Sequence, residues 1–250
     1  MALRPGLLIY TGRIGSAHRH HHAATQVVLT VDGEVELIDD SGARWRGRTA
    51  VIPAGIPHEI TGTATGLLAF ADAESGLGQT LADRVRATGA PAGSVLAWSD
   101  AAEPLHAIEP ADVAGIPDIA DHALRLLAGE LSAPAKARHP ALWRALALLP
   151  KLLDRPLRLP ELAAAAGVSC SRLGHLFRAE IGLPFPPYLR WARLQRAFEL
   201  ARDGATLTDT AHAAGFADSA HLTRVCREMF GLTPTELARA TGLPAVRVNR

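Results

Sequence analysis

LPELAAAAGVSCSRLGHLFRAEIG, from Leu159 to Gly182, and LTDTAHAAGFADSAHLTRVCREMFGLTP, from Leu207 to Pro234, carry one irregular pattern twice. In each, a short Ala-rich segment meets a glycine (Gly167, Gly215), then a Ser or Asp suited to an N-cap, then a basic amphipathic run. Each closes on Gly, a short apolar stretch and Pro: Gly182-Leu183-Pro184 and Gly231-Leu232-Thr233-Pro234. The repeat predicts two helix-turn-helix units in tandem, joined by one connector helix over about Pro187–Ala201. Such a pair is a DNA-reading module.

Spacing assigns the faces. In the first unit Pro160 suits the start of a helix, where no intrahelical N–H is needed. Leu162 and Ala163 face inward, Ser169 caps the next helix, and Leu173, Leu176 and Phe177 are spaced for a core. Ser171, Arg172, His175 and Arg178 fall on the opposite side. In the second unit Asp218 or Ser219 caps, and Leu222, Val225 and Cys226 face inward. Ser219, His221, Arg224 and Arg227 face out.

The stretches AAAAGVSCSRLGHLFRAEIG from Ala163 and AGFADSAHLTRVCREMFGLTP from Ala214 resemble the AraC/XylS family of bacterial transcription regulators. One departure is Cys226, where that family usually has a bulky aromatic. The resemblance implies two recognition helices entering successive major grooves on one face of double-stranded promoter DNA, about 34 Å apart. By matching positions, Ser171 and His175 would reach base edges in one groove, and Ser219, His221 and Arg224 in the other. Arg224 is the candidate for bidentate contact with guanine. Gly174 and Ala220 stand where related proteins carry longer readers. Arg172, Arg178, Arg190, Arg193 and Arg227 are expected on phosphates, which position the protein without specifying sequence.

The rest of the chain is consistent with this. Its 250 residues, 48% hydrophobic, suffice for two compact domains and exclude a disordered chain. Net charge is +1, unevenly divided: residues 1–155 hold 14 Lys+Arg against 17 Asp+Glu, and residues 156–250 hold 12 against 8. The basic half suits a phosphate backbone. Cys170 and Cys226 are the only cysteines and read as reduced thiols. The opening MALRPGLLIY lacks the pattern of a signal peptide, and no apolar run reaches the length of a membrane helix. The expectation is a cytoplasmic protein with no membrane partner.

Ahead of the repeat, Gly6–Tyr10, Gln26–Val31, Val35–Ile38, Ala50–Ile52 and Leu67–Phe70 read as short strands, with Asp32-Gly33 as a two-residue hairpin and Asp39–Gly42 as another turn. This spacing predicts a small β-barrel or jelly roll. The run Gly47, Pro53, Gly55, His58 resembles the second signature of the cupin barrels. His20, His22, Gln26 and Gly33 resemble the first, with Gln26 in place of the usual carboxylate. Residues two apart on a strand share a face, so His18, His20, His22 and Gln26 are expected to point one way. If that face is interior, His20 and His22 meet His58, and three imidazoles suit a divalent transition metal: Zn, Ni, Cu or Fe. The alternatives are a metal-free pocket for a small molecule using the same residues, and a structural or exposed role. No Ser or Cys stands at recognisable motif spacing from a His, and no Gly-rich phosphate loop is present.

In the middle of the chain Leu77–Thr88 reads as a helix, Ser94–Trp98 as a strand, and Glu109-Pro110 as a boundary. Asp118–Leu131 shows helical spacing of Ile119, His122, Ala123, Leu126 and Leu127; it would either mediate a homodimer or cover the barrel. Gly129–His139 is the linker candidate, and Trp143–Leu153 an apolar helix. The predicted architecture is α+β with two domains. A cupin-like sensor barrel takes residues 1–115, a helix and linker 116–138, and a DNA-binding domain with two helix-turn-helix units 139–250. The expected function is a non-enzymatic transcription regulator whose barrel senses a small molecule or metal, with RNA polymerase a further partner if it activates. The alternatives are a metal-dependent cupin enzyme with a helical accessory domain, and a DNA-binding protein whose barrel has no effector.

Overall fold

The computed structural model describes residues 2–4, 6–108, 116–129, 138–230 and 232–241. The chain divides into two compact units, Met1–Ala135 with Glu228–Gly231, and Lys136–Arg227 with Leu232–Arg250. The Glu109-Pro110 boundary, most of the Gly129–His139 linker, and Gly231 lie outside the described residues. Among the described residues, no helix is long and apolar enough to cross a membrane.

The first unit is built on two antiparallel sheets. One orders its strands β1 (Ala2–Arg4), β2 (Leu7–Ile14), β9 (Ala64–Asp72), β4 (Ala24–Asp32) and β7 (Thr49–Ile52). The other orders β3 (Ala17–His20), β8 (His58–Gly62), β5 (Val35–Ile38) and β6 (Arg44–Gly47). The expected barrel is therefore two sheets that hydrogen bonds do not close into one. Residues buried at both faces, such as Val27, Leu29, Val51 and Leu67, fill the core with Leu37 and Ile60.

Three sequence expectations are corrected here. Asp32-Gly33 is not a hairpin. β4 pairs with β7 and β9, whereas β5 pairs with β6 and β8, so the chain changes sheets at this point. A register shift between Thr30 and Asp32 bends the strand, and Gly33, at φ +76°, turns the corner beside the Thr63 carbonyl. Ser94–Trp98 is not a strand but the start of helix α2 (Val95–Ala101). The Ser94 hydroxyl accepts from Leu96 N at 3.3 Å and the Asp39 carboxylate from Val95 N at 3.1 Å, satisfying two N-terminal donors. Helix α1 runs from Gly76 to Ala87, close to expectation.

The third concerns His122, expected on the apolar stripe of the helix over Asp118–Leu131, which forms as α3 (Ile116–Ala128). Its buried stripe is Ile119, Ala120, Ala123, Leu124 and Leu127, whereas His122 is exposed. That stripe belongs to the same hydrophobic core as β2, β9, α1 and α2, so its apolar face is spent within the unit.

The second unit is helical throughout its described length. Helix α4 (Pro140–Leu148) gives way to a 3-10 turn at Leu149–Leu152, because Pro150 lacks the N–H a continuing helix needs. The expected single helix Trp143–Leu153 is thus two pieces, and Trp143 is exposed. Then follow α5 (Leu159–Ala165), α6 (Cys170–Leu176), a π-helical turn (Phe177–Ile181), α7 (Phe185–Arg202), α8 (Leu207–Ala213), α9 (Ser219–Phe230) and α10 (Pro234–Thr241). The connector α7 buries Leu189, Trp191, Leu194 and Phe198.

Candidate functional site

The two helix-turn-helix units are built alike, atom for atom, at the turn. In the first, Gly167 adopts φ +72° and Val168 N donates to Ala163 O at 3.0 Å. In the second, Gly215 adopts φ +81° and Phe216 N donates to Ala211 O at 2.8 Å. Both are glycine-terminated helix ends, in which a left-handed residue lets the next N–H satisfy an orphan carbonyl. Arg144 adds a clamp in the first unit, its Nε and Nη2 donating to Ala166 O at 3.1 and 2.9 Å.

Each recognition helix then starts on a side-chain cap. The Ser169 hydroxyl accepts from Arg172 N at 3.1 Å, and the Asp218 carboxylate from His221 N at 2.6 Å. Leu173, Leu176 and Phe177 are buried in the first unit, and Leu222, Val225 and Cys226 in the second. Burial pushes the Cys226 thiol well up, with Glu236 adding to the shift, so it is an inert core group.

The outward faces follow. Ser171, Arg172, His175 and Arg178 are exposed, as are Arg224 and Arg227; Ser219 and His221 are half-buried. His221 is fixed locally: its ring stands edge-on to Phe216 at 5.3 Å, and its Nδ1 accepts from Ala217 N at 3.3 Å. Three further positions of the sequence reading have these surroundings. Gly174 is buried, and a Cβ there would meet Leu159 Cδ2 at 3.3 Å, so it packs against α5. Arg193 donates from Nη2 to Arg155 O at 2.8 Å, and desolvation lowers its pKa; it secures the Arg155 backbone. Arg190 is half-buried. Arg144 carried no sequence signal, because its partner, Ala166 O, is set by the packing of α4 on α5.

The histidine cluster lies in the first unit. His20 ends β3, His58 starts β8, and the two are register partners. His22 lies in the link between β3 and β4, and Gln26 on β4. The expected single strand face does not exist: the register shifts between Ala17 and His20, leaving His18 exposed, and the chain passes from one sheet to the other before Gln26. His20, His22, His58 and Gln26 are nonetheless brought together, all buried. Ring centroids are 4.3 Å apart for His20–His58, 5.0 Å for His22–His58 and 6.0 Å for His20–His22. One ligand atom from each of the three lies within 4.8 Å of the others.

The hydrogen bonds dictate the tautomers. His20 Nδ1 lies 2.7 Å from His18 O, His22 Nδ1 2.7 Å from Ala24 O, and His58 Nδ1 2.9 Å from Ile56 O. A carbonyl only accepts, so each Nδ1 carries the proton. Burial lowers all three pKa values, that of His22 to about 4, and the neighbouring imidazoles lower His22 and His58 further. Each neutral ring then presents a bare Nε2. Gln26 Oε1 stands 2.6 Å from His22 Nε2 and 3.1 Å from His58 Nε2, an oxygen facing two lone pairs. Two arrangements resolve this: the amide turns its NH2 to both rings, or a cation sits among the four atoms. Backbone carbonyls that orient three imidazoles through Nδ1 are the outer-shell pattern of metal-ligating histidines, so the donor set fits a divalent ion. Phe70 stands edge-on to His22 at 5.2 Å and Trp98 to His58 at 6.1 Å. Neither was legible in the sequence, since both arrive from distant elements.

Residues 162–240 match the family described as a helix-turn-helix domain. The HTH-type transcriptional regulator GlxA of Rhizobium meliloti is 34% identical over 105 residues, covering 42% of this chain and 32% of that protein. The transcriptional activator NphR of a Rhodococcus species is 38% identical over 85 residues, 33% of this chain and 25% of that protein. The chain thus spans about a third or less of the length of these curated relatives. Among solved structures, ToxT from Vibrio cholerae covers 95% of this chain and all of its own, with a TM-score of 0.55 at 11% identity. A ToxT structure with a bound unsaturated fatty acid matches over 97% of this chain with a TM-score of 0.56. At that identity the likeness is one of fold: an antiparallel sheet unit followed by a helical one. The tandem helix-turn-helix segment, residues 162–240, is thus the part of the chain that is similar to these HTH-type transcriptional regulators.

Proposed function

We propose that the protein is a sequence-specific, cytoplasmic DNA-binding transcription regulator whose first unit senses a metal ion or small molecule. The observation that carries this is the duplicated recognition helix: α6 and α9 each begin on a side-chain cap after a left-handed glycine and each expose polar side chains. Promoter DNA is the partner such a pair fits, with the helices in successive major grooves about 34 Å apart. Ser171 and His175 would read bases in one groove, and Ser219, His221 and Arg224 in the other. Arg172, Arg178 and Arg227 would take phosphates, with Arg190 at the edge of that set. The mildly basic charge of residues 156–250 supports this partner.

Sensing by the first unit draws support from the buried histidine centre. His20, His22 and His58 would hold a divalent ion through Nε2, with Gln26 Oε1 beside it. The metal would supply a Lewis-acidic position; backbone carbonyls at Nδ1 would orient the three ligating rings, with Phe70 and Trp98 edge-on against two of them. The fatty acid bound by ToxT supports a ligand role for a unit of this fold.

The test is selection of binding duplexes from a random pool by the full chain, followed by fluorescence anisotropy. The selected duplex is expected to bind about 1,000-fold or more tighter than a scrambled one, with affinity falling steeply as salt rises. Equal affinity for both duplexes would overturn the reading.

A further inference from the structure

We propose that the histidine centre, once loaded with a divalent ion, is a receptor for a small carboxylate anion. This rests on the reading that the centre holds a metal. Every donor the chain offers there is uncharged: imidazoles bind metals in their neutral form, and Gln26 contributes an amide. Among the described residues no carboxylate belongs to the cluster. The rings that pack against it are Phe70 and Trp98, which bring no counter-charge. Glu59 is the one acid with an electrostatic effect on His20, and it is half-exposed beside His58 on β8. An ion held here keeps its two positive charges among buried, apolar surroundings, an unfavourable state that an anion from solution relieves.

The least covered side of the centre is that of His20. That residue ends β3, the edge strand of its sheet, and is 6% exposed, against 1% for His22 and His58. A carboxylate entering there completes the coordination shell, which three imidazoles leave open. Metal and anion then reinforce each other's binding by the same factor. A carboxylate at position 26 would occupy the same electrostatic role from within the chain, so Gln26 is what leaves the charge to be met from outside.

The experiment loads the full chain with Co2+, whose visible bands report coordination, and titrates acetate at constant ionic strength in perchlorate. Acetate is expected to change the bands saturably in the natural protein. Gln26→Glu should still take up cobalt and bind acetate about tenfold more weakly or worse. Bands indifferent to acetate, while His58→Ala loses the cobalt, would overturn the inference and leave the metal site standing. Equal acetate affinity in Gln26→Glu would overturn it too. No cobalt uptake at all would remove both this inference and the metal reading, without touching DNA recognition.

Discussion

Arg224 and Arg172 both stand exposed on recognition helices, yet they are expected to act differently on DNA. Arg224 lies three residues after His221, on the same face of α9, and has a planar fork suited to guanine O6 and N7. Arg224→Ala is expected to weaken the selected duplex by about 1–3 kcal/mol and to relax preference at one base position. Arg172, whose backbone N–H is taken by the Ser169 cap, sits in the first turn of α6. Arg172→Ala should weaken all duplexes alike and flatten the salt slope by about 1. Anisotropy on single-base variants of the selected duplex separates the two; uniform loss with Arg224→Ala would move it to the phosphate set. At this scale the sequence was a good guide to which side chains face out. It was a poor guide to Arg193, because a guanidinium on a helix surface looks free until a carbonyl from another segment, here Arg155 O, is seen to take it.

The turns differ in what surrounds them although their hydrogen bonds agree. A Cβ on Gly215 would collide with the Leu153 carbonyl oxygen and lie 2.8 Å from Arg193 Nε; one on Gly167 finds its nearest neighbour at 3.9 Å. Both positions are left-handed. Gly167→Ala should therefore cost about 1 kcal/mol, the conformational penalty alone. Gly215→Ala adds a backbone clash and should cost about 3 kcal/mol or more. Urea denaturation with unchanged slope measures both, and equal losses would show that the Leu153 backbone yields freely. The repeat made these elements legible: caps, glycines and apolar spacing lie within about twenty residues of one another, and local rules govern them. Elements whose fate hangs on distant partners were not. The strand expected at Ser94–Trp98 is a helix because Asp39, more than fifty positions earlier, caps Val95 N. The hairpin expected at Asp32-Gly33 is a corner because both flanking strands find partners elsewhere.

On the scale of the whole molecule, metal occupancy should appear as stability of the first unit. An ion that binds only the folded state, present at about 100 times its dissociation constant, raises unfolding free energy by about 2.7 kcal/mol. Zn2+ is expected to raise the thermal midpoint of the transition reported by Trp98, which is buried in that unit's core, and His58→Ala should abolish the effect. An equal rise in His58→Ala would place the ion elsewhere. The amino-acid sequence by itself determined the tandem helix-turn-helix units, their outward faces and the strand-rich character of the first half. These depend on periodicity and capping, which act between residues close in the chain. Only the tertiary structure decided that the strands form two unclosed sheets, that α3 buries its stripe within its own unit, and that three histidines from two strands and a link share one point with Gln26. Convergence of that kind is set by strand register and by which sheet each strand joins. Those are choices among long-range pairings, and no short stretch of sequence contains them.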